Sequence, residues 1–354
     1  MAPIPQGGTV AVTGSAGFIG GWVVRLLLEE GYRVRACVRD ANDDKKTAFL
    51  KAMPAYASGR LTLHSADLDD DGCFDDIFRG CHGVAHVSHV SDYSDMDYVK
   101  RVCGHIIGSI EASGSVNRVV VTSSIAAVIL EADINELVRR PVCNEDRYPD
   151  ELNPKRKAER PGQGYSMGKI LAQNMFSDAA SDSGGMWDAV TCCPGDNVGP
   201  ILSAHQRFMG PWQSNIRMML EGEYYQNEAY RPWMTVDVRD TAEQHVRLLT
   251  DGNVQNGERY IAWSTEKRNV EDVCASIARL LPELDFVPPA VTDPFPERIQ
   301  AREGELRAIW AGVDLRNDRA REQLGMDFLP LDVSIRDCVE SLISIGGVEI
   351  RRAG

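Results

Sequence analysis

The sequence predicts an α/β protein in which a doubly wound parallel sheet is followed by a smaller C-terminal lobe. Segments typical of strands alternate with segments typical of helices through five strands, as far as residue 122. Beyond Gly199-Pro200 the chain changes character, and aromatic and methionine residues become dense. At 354 residues the chain also exceeds the usual size of a single hydrophobic core, so we expect one large domain and a second lobe.

The first forty residues carry the strongest signal. Residues 9–13 are a short run rich in β-branched side chains, typical of a buried strand. Residues 22–30 predict a helix that Gly31 ends as a left-handed cap, and residues 33–39 predict a second strand. Between the first strand and the helix, the segment TGSAGFIG places three glycines at three-residue spacing: Gly14, Gly17 and Gly20. This order is typical of the Rossmann-type dinucleotide-binding unit, because a pyrophosphate reaches the helix N-terminus only where no Cβ blocks it.

The end of the second strand indicates which cofactor is bound. This position carries an acidic residue where the ribose 2′-hydroxyl is bound, or an arginine where a 2′-phosphate is bound. Here it is Arg39, with Lys46 one short loop further on, and two cations suit a doubly charged phosphate. The alternative interpretation of Arg39 is a solvated charge, and the adjacent Asp40 speaks for NADH. We favour NADPH over NADH.

Composition and charge exclude several classes of protein. The chain has 52 acidic and 38 basic residues, a formal net charge of −14, so binding to nucleic acid or an anionic membrane is not expected. Neither a signal peptide nor a membrane-spanning run is predicted. Nine cysteines without metal-ligand spacing favour neither a disulfide framework nor a metal site. We therefore expect a cytoplasmic location.

Polar residues follow the next predicted strands at the carboxyl edge of the sheet, where such folds bind ligands. After a charged helical segment at 41–53, the third strand, 61–64, is followed by Asp67. This carboxylate either accepts a hydrogen bond from the adenine amino group or caps a helix predicted over 73–78, and the sequence alone does not separate the two roles.

The fourth and fifth strands bring further polar residues to the same edge. The fourth strand, 83–88, leaves Ser88 and His89 there. His89 either contacts a substrate or is simply a polar loop residue. The fifth strand, 117–122, ends at Ser123-Ser124.

A tyrosine and a lysine four residues apart form the candidate catalytic pair. Tyr165 and Lys169 open a predicted helix and lie on one of its faces. A phenol is nearly fully protonated at neutral pH, and a nearby ammonium stabilises the phenolate and so eases proton donation. Ser124 offers a hydroxyl that holds a carbonyl oxygen in place. The combination of this pair with the glycine turn and the Ser-Ser strand end indicates an enzyme.

The chain resembles the extended short-chain dehydrogenase/reductases, and more narrowly the dihydroflavonol-4-reductase and cinnamoyl-CoA-reductase group. The resemblance runs nearly end to end and is carried by the segments TGSAGFIG, YRVRACVRD, HSADLDDDGCFDDIFRGCHGVAHV, VTSS, YSMGK and CCPGDNVGP. It implies hydride transfer from nicotinamide C4 to a carbonyl carbon while Tyr165 protonates the oxygen, Ser124 orients the carbonyl and Lys169 also binds the nicotinamide ribose. The predicted cofactor-binding residues are Gly14, Ala16, Gly17, Phe18, Ile19, Gly20, Arg39, Lys46, Asp67, Leu68, Val87, Ser88, Tyr165, Lys169, Pro194 and Val198.

The departures from this group concern the substrate. Flavonoid-reducing members have an asparagine five residues after the catalytic serine, where this chain has Ile129. Cinnamoyl-CoA reductases share the longer signature Asn-Trp-Tyr-Cys-Tyr-Gly-Lys, of which Tyr165, Gly168 and Lys169 are kept. The resemblance thus implies the catalytic core but neither plant substrate. The candidate substrate residues are His89, Ile129, Phe208 and Trp212.

The dense aromatic and methionine residues of the second lobe suggest a flat or aromatic ligand, although most of them are expected to form the core. A strand is predicted over 233–236, Asp240 is expected to cap the next helix, and a last strand is predicted over 257–263. We assign the NADP(H)-binding domain to 1–194 and about 233–262, and the substrate lobe to about 195–232 and 263–354.

The leading hypothesis is an NADPH-dependent carbonyl reductase or alcohol dehydrogenase that acts on a bulky, aromatic ketone or aldehyde. The alternatives are a nucleotide-sugar epimerase or dehydratase of the same extended family, and a non-catalytic NADPH sensor. The apolar second lobe argues against the first alternative, and the presence of both Tyr165 and Lys169 argues against the second. A small-molecule substrate is the expected partner, and the chain is expected to be a monomer or a homodimer.

Overall fold

The computed structural model describes residues 3–129, 134–149, 163–223, 232–288 and 297–352. Its strands are β1 (Thr9–Thr13), β2 (Arg33–Val38), β3 (Leu61–Ser65), β4 (Gly83–His86), β5 (Arg118–Thr122), β6 (Val142–Cys143), β7 (Asp188–Pro194), β8 (Asp196–Val198), β9 (Trp233–Asp237), β10 (Arg259–Ala262), β11 (Lys267–Arg268) and β12 (Asp314–Leu315). Its helices are α1 (Phe18–Glu29), α2 (Asp44–Lys51), α3 (Pro54–Ala57), α4 (Asp75–Phe78), α5 (Met96–Ser113), α6 (Ile134–Arg139), α7 (Gln163–Asp182), α8 (Gly210–Leu220), α9 (Val238–Thr250), α10 (Val270–Leu280), α11 (Glu297–Gly312), α12 (Asp318–Glu322) and α13 (Leu331–Ser344). Short 3₁₀ turns cover Ile125–Ala127, Ala204–Phe208 and Pro282–Leu284.

The central sheet confirms the predicted fold class. In the described part of the chain it has seven strands in the order β10-β7-β5-β4-β1-β2-β3, and all of its pairings are parallel. The strand order reverses between β1 and β4, where Thr13 is paired with His86. In doubly wound folds, ligands bind at such a reversal, beyond the carboxyl ends of the strands.

Both faces of the sheet are covered, which explains the continuous apolar runs of its strands. In β5, Val120 packs into the hydrophobic cluster that contains α1 and α9, whereas Val119 and Val121 pack into the cluster that contains α5 and Phe176 of α7. Successive side chains of a strand point to opposite faces, so each strand contributes to both cores.

The first helix begins four residues earlier than predicted, at Phe18, with Gly17 as its N-cap. The last glycine of the turn therefore lies inside the helix. Gly31 has φ of +90°, so the predicted left-handed backbone after this helix is present. The fourth strand ends at His86 rather than at residue 88.

Two smaller sheets, β11-β9-β8 and β12-β6, lie outside the central sheet. Within the segment 233–262, β9 belongs to the three-stranded sheet, α9 packs against α1, and β10 is an edge strand of the central sheet. Asp240 does not cap the helix, because α9 begins earlier and the side chain of Asp237 accepts the N–H of Arg239. Within the described ranges, no helix is long and apolar enough to span a membrane.

Candidate active site

A cleft of about 1400 Å³ lies beyond the carboxyl ends of the central strands. It brings together most of the predicted residues, although they come from distant parts of the sequence. The predicted residues that line it are Gly14, Ala16, Gly17, Phe18, Ile19, Gly20, Arg39, Lys46, Asp67, Leu68, Val87, Ser88, His89, Ser124, Ile129, Tyr165, Lys169 and Pro194.

The geometry of the glycine turn fits a pyrophosphate. Gly14 has φ of +69°, which a side chain would strain. A Cβ on Gly20 would lie 2.2 Å from the carbonyl oxygen of Gly14, so only glycine allows the turn to approach the helix this closely. Gly17 is the N-cap of α1 and lines the cleft, and the first turn of this helix has no acidic residue. The positive end of the helix dipole therefore faces the cleft without a competing carboxylate.

Two side chains of the second lobe hold the glycine turn from outside. Nε2 of His205 lies 2.8 Å from the carbonyl oxygen of Ala16, and Nε2 of Gln206 donates to the carbonyl oxygen of Gly17 at 3.1 Å. Both residues belong to the 3₁₀ turn Ala204–Phe208. These contacts couple the position of the glycine turn to the second lobe.

A hydrogen-bond chain fixes the strand ends at the reversal point. The hydroxyl of Thr13 accepts the N–H and the O–H of Ser88, at 3.1 and 2.7 Å, and lies 3.0 Å from Nδ1 of His86. Burial lowers the pKa of His86 to about 3, so its ring is neutral and Nδ1 can accept the Thr13 proton. The chain ties β1 to the segment after β4, directly beside Gly14.

The two predicted phosphate-binding cations lie at the edge of the cleft. Nε of Arg39 is 3.3 Å from a carboxylate oxygen of Asp67, and its side chain is 82% exposed. Nζ of Lys46 is 3.4 Å from a carboxylate oxygen of Asp43. Asp67 does not cap the helix that follows, because α4 begins at Asp75 with Phe74 at its N-cap position. Of the two roles considered for this carboxylate, capping is therefore excluded.

Tyr165 and Lys169 lie on the first turns of α7 and face the same cleft. The buried Nζ of Lys169 donates to the carbonyl oxygen of Thr122 at 3.0 Å and lies 5.7 Å from the centroid of the Tyr165 ring. Burial by itself lowers the pKa of Lys169, but the phenols of Tyr165 and Tyr93 raise it, and the net shift is upward. The lysine therefore remains an ammonium at neutral pH.

A second phenol belongs to this group. The ring of Tyr93 meets the ring of Tyr165 edge to face, with centroids 4.9 Å apart, and its centroid lies 5.5 Å from Nζ of Lys169. Gly168 makes this approach possible, since a Cβ there would lie 2.5 Å from the Tyr93 ring. The glycine of YSMGK thus has a packing role beside Tyr165 and Lys169.

Ser124 lies at the end of β5, at the N-cap of a 3₁₀ turn. Its oxygen accepts the N–H of Ala126 at 3.1 Å, which leaves the hydroxyl proton for a ligand in the cleft. The buried His245 of α9 fixes the same strand end, because its Nε2 lies 2.7 Å from the hydroxyl of Thr122. Burial lowers the pKa of His245 to about 4, so this histidine is neutral and serves the structure.

Comparison with known proteins places this fold and site in a family. Residues 10–262 match the model of the NAD dependent epimerase/dehydratase family. The chain belongs to this family. A dihydroflavonol 4-reductase of Zea mays is 31% identical over 346 residues, covering 94% of this chain and 89% of the relative. A cinnamoyl-CoA reductase 2 of Medicago truncatula is 32% identical over 350 residues, covering 97% and 93%.

Solved structures agree on the fold. The yeast methylglyoxal/isovaleraldehyde reductase Gre2, complexed with NADPH, superposes with a TM-score of 0.74 at 22% identity and covers 96% of this chain and 99% of its own. The predicted resemblance to the dihydroflavonol-4-reductase and cinnamoyl-CoA-reductase group is confirmed by the sequence relatives. Because these relatives are named reductases, the prediction of an oxidoreductase acting on carbonyl or alcohol groups is confirmed as well.

Three predicted site residues of this family member do not line the cleft. Val198 is fully buried and is paired with Asp237 between β8 and β9. Trp212 is only 2% exposed and packs into the hydrophobic cluster that also contains α1 and α9, although its helix borders the cleft. Phe208 is 57% exposed and lies between the guanidinium groups of Arg207 and Arg217.

The structure adds lining residues that the sequence interpretation missed. Leu306 and Trp310 reach the cleft from α11, beyond the part of the chain that matches the family model. Tyr93 lies in the segment between β4 and α5, and this position after a strand that ends at the ligand edge was the one signal that pointed to it. Other lining residues that the sequence interpretation did not assign to the site include Val90, Ile125, Asn197, Met209 and Gln213.

Proposed function

We propose that this protein is an NADPH-dependent reductase of bulky, aromatic ketones or aldehydes, with Tyr165 as the general acid. One observation carries the proposal: Tyr165, Lys169 and Ser124 line the same cleft as a glycine turn and an exposed pair of cations. The glycine turn and the two cations suit a nicotinamide cofactor with a 2′-phosphate. Tyr165, Lys169 and Ser124 suit the reduction of a carbonyl group. The proposal extends to the reverse reaction, the oxidation of the alcohol.

The residues present fit NADPH. The N-terminus of α1 and Gly17 would hold the pyrophosphate, and Arg39 with Lys46 would hold the 2′-phosphate. The preference for NADPH over NADH rests on these two cations, and it is supported by the yeast reductase that was solved with NADPH. When bound, this cofactor supplies a hydride to the carbonyl carbon of the substrate.

The protein's own residues supply the proton and the orientation. The hydroxyl proton of Ser124 is directed at the carbonyl oxygen of the substrate and holds it beside the phenol of Tyr165. Tyr165 donates its proton to this oxygen as negative charge develops on it. Lys169, fixed by the carbonyl oxygen of Thr122, keeps its positive charge next to the phenolate that remains. The tyrosine is then reprotonated from solvent, since its side chain is 40% exposed.

The substrate end of the cleft favours a bulky apolar group. The cleft is lined by apolar side chains from the segment after β5 (Ile125 and Ile129), from the N-cap of α8 (Met209) and from α11 (Leu306 and Trp310). Apolar walls with a few polar groups are typical of pockets for small organic ligands. A nucleotide sugar would require phosphate-binding side chains in this part of the cleft, and these five are not suited to that.

The test is the oxidation of NADPH and of NADH over a panel of aromatic and aliphatic ketones and aldehydes, with Tyr165→Phe as the matched variant. Turnover with NADPH and aryl carbonyls that falls by at least about 100-fold in Tyr165→Phe is expected, since acid-base catalysis contributes about 10²- to 10⁴-fold. Activity that survives in Tyr165→Phe would remove the proposed mechanism. Purified protein that carries bound cofactor and interconverts sugar nucleotides would instead favour the epimerase, and NADPH binding without any turnover would favour the sensor.

A further inference from the structure

Two amide side chains on the wall of the cleft have carbonyl oxygens without a hydrogen-bond partner. Gln213 of α8 is completely buried, and Asn197 of β8 is partly buried. Both residues line the cleft. Oε1 of Gln213 and Oδ1 of Asn197 have no partner in the described part of the chain, although both atoms are shielded from bulk solvent.

The orientation of both amides is fixed by their nitrogen atoms. Nε2 of Gln213 donates to the backbone carbonyl oxygen of Asn197 at 3.4 Å, and Nδ2 of Asn197 donates to the backbone carbonyl oxygen of Gly195 at 3.0 Å. Rotating either amide by 180° would place its oxygen against another carbonyl oxygen. Each side chain therefore presents an acceptor, and not a donor, as its free group.

Buried polar atoms of folded proteins nearly always have a partner, and the exceptions call for a functional explanation. Here the apolar residues Ile125, Leu306 and Trp310 line the same cleft as the two amides. A group that satisfies both oxygens must donate hydrogen bonds, as a hydroxyl or an N–H group does.

We infer that Asn197 and Gln213 recognise a hydrogen-bond donor on the substrate, so that the preferred carbonyl compound carries a hydroxyl or N–H group in addition to the carbonyl. This inference rests on the proposed reductase function and narrows its substrate class. A cleft with two unpaired acceptor oxygens discriminates strongly between substrates with and without the donor group. An analogue without the donor leaves both oxygens desolvated and unpaired. Asn197 and Gln213 therefore act as specificity-determining residues, while Tyr165 and Ser124 act on the carbonyl itself.

The experiment compares acetophenone with 2-hydroxyacetophenone, which differ in one hydroxyl group. For the native protein, kcat/KM is expected to be at least about tenfold higher for the hydroxyketone than for acetophenone. This ratio is the effect of a single hydrogen bond to a buried acceptor. In Gln213→Met this ratio is expected to fall towards one, through a loss with the hydroxyketone and no loss with acetophenone. Asn197→Leu should reduce the ratio independently. Gln255→Met is the control, because it makes the same change at an exposed residue outside the cleft.

Two further measurements separate the possible outcomes. Calorimetric titration gives the Kd of each ketone in the presence of NADP⁺: equal Kd values for the two ketones in the native protein overturn the inference, whereas tighter binding of the hydroxyketone without NADPH oxidation overturns the proposed function and keeps the donor site. A titration with NADPH alone gives the cofactor Kd. A Kd for NADPH that rises more than about threefold in Gln213→Met, with an unchanged ketone ratio, would assign the acceptors to the cofactor's carboxamide and overturn the inference.

Discussion

Replacing Arg39 with glutamine is expected to weaken NADPH binding about 5- to 30-fold. In the structure its guanidinium is 82% exposed and lies 3.3 Å from Asp67. An exposed ion pair contributes about 0 to 1 kcal/mol, so releasing Arg39 from this partner costs little. A hydrogen bond to a charged group contributes about 1.5 to 3 kcal/mol. The difference leaves about 1 to 2 kcal/mol for the contact with a 2′-phosphate, and each 1.4 kcal/mol is tenfold in Kd.

The assay is a fluorescence titration of the variant with NADPH and with NADH. The Kd for NADH should change by less than about twofold, because NADH lacks the phosphate that the removed charge would contact. Arg33→Gln is the matched control: it removes the same group from the exposed opposite end of β2, outside the cleft. An equal loss of both cofactors in Arg39→Gln, or no loss of NADPH, would refute the assignment of Arg39 to the 2′-phosphate.

Three other perturbations follow from the structure. Tyr93→Phe removes a hydroxyl that helps to raise the pKa of Lys169 and keeps the ring, so kcat should fall about fivefold, as for the loss of one polar contact, with an unchanged Kd for NADPH. An unchanged kcat would show that the hydroxyl has no role. Gly20→Ala places a Cβ 2.2 Å from the Gly14 carbonyl oxygen and should raise the Kd for NADPH more than about tenfold. The control is Gly104→Ala in α5, whose Cβ meets no atom within 4 Å and should leave this Kd unchanged. Titration of both variants with NADPH measures the two values. Burial raises the pKa of Asp240 from 3.8 to about 7, so the folded state holds this proton more tightly and the free energy of unfolding should fall as pH rises from about 4 to 7. Asp240→Asn should flatten that part of a Tm-against-pH profile, and an unchanged slope would contradict the assignment.

The nucleotide-binding half of the cleft was predictable because its signals are local. The spacing of Gly14, Gly17 and Gly20 reflects contacts within a single turn, so it is readable from eight consecutive residues. The strand ends were predictable for a related reason: parallel strands present their carboxyl ends to one edge, so Ser88 and Ser124 had to lie near each other. Ends of elements were less accurate, since Gly17 caps the first helix through its backbone and not through a polar side chain.

Helix capping shows a local signal that remained ambiguous. Asp237 and Asp240 lie three residues apart, and both are residues that favour an N-cap. The structure uses Asp237, while Asp240 is buried within α9 and accepts the backbone N–H of Leu329. That second contact comes from a segment almost ninety residues away, which no local pattern reports.

The aromatic residues of the second lobe could not be assigned to the core or to the cleft from the sequence, because composition does not show which way each side chain points. Trp212 and Phe208 are four residues apart, yet the first packs into the core and the second is exposed between two arginines. Neither lines the cleft. Trp310 does line it, and this residue comes from a helix about one hundred residues further along the chain.

The family match ends at residue 262 and includes the glycine turn, Ser124, Tyr165 and Lys169, whereas Leu306 and Trp310 lie beyond it. The candidate catalytic residues thus lie in the part of the chain that the family model matches, whereas part of the cleft wall lies beyond it. The substrate of this chain has to be sought from its own chamber, where an apolar wall and two unpaired acceptor oxygens together call for a carbonyl compound with an apolar body and a hydrogen-bond donor.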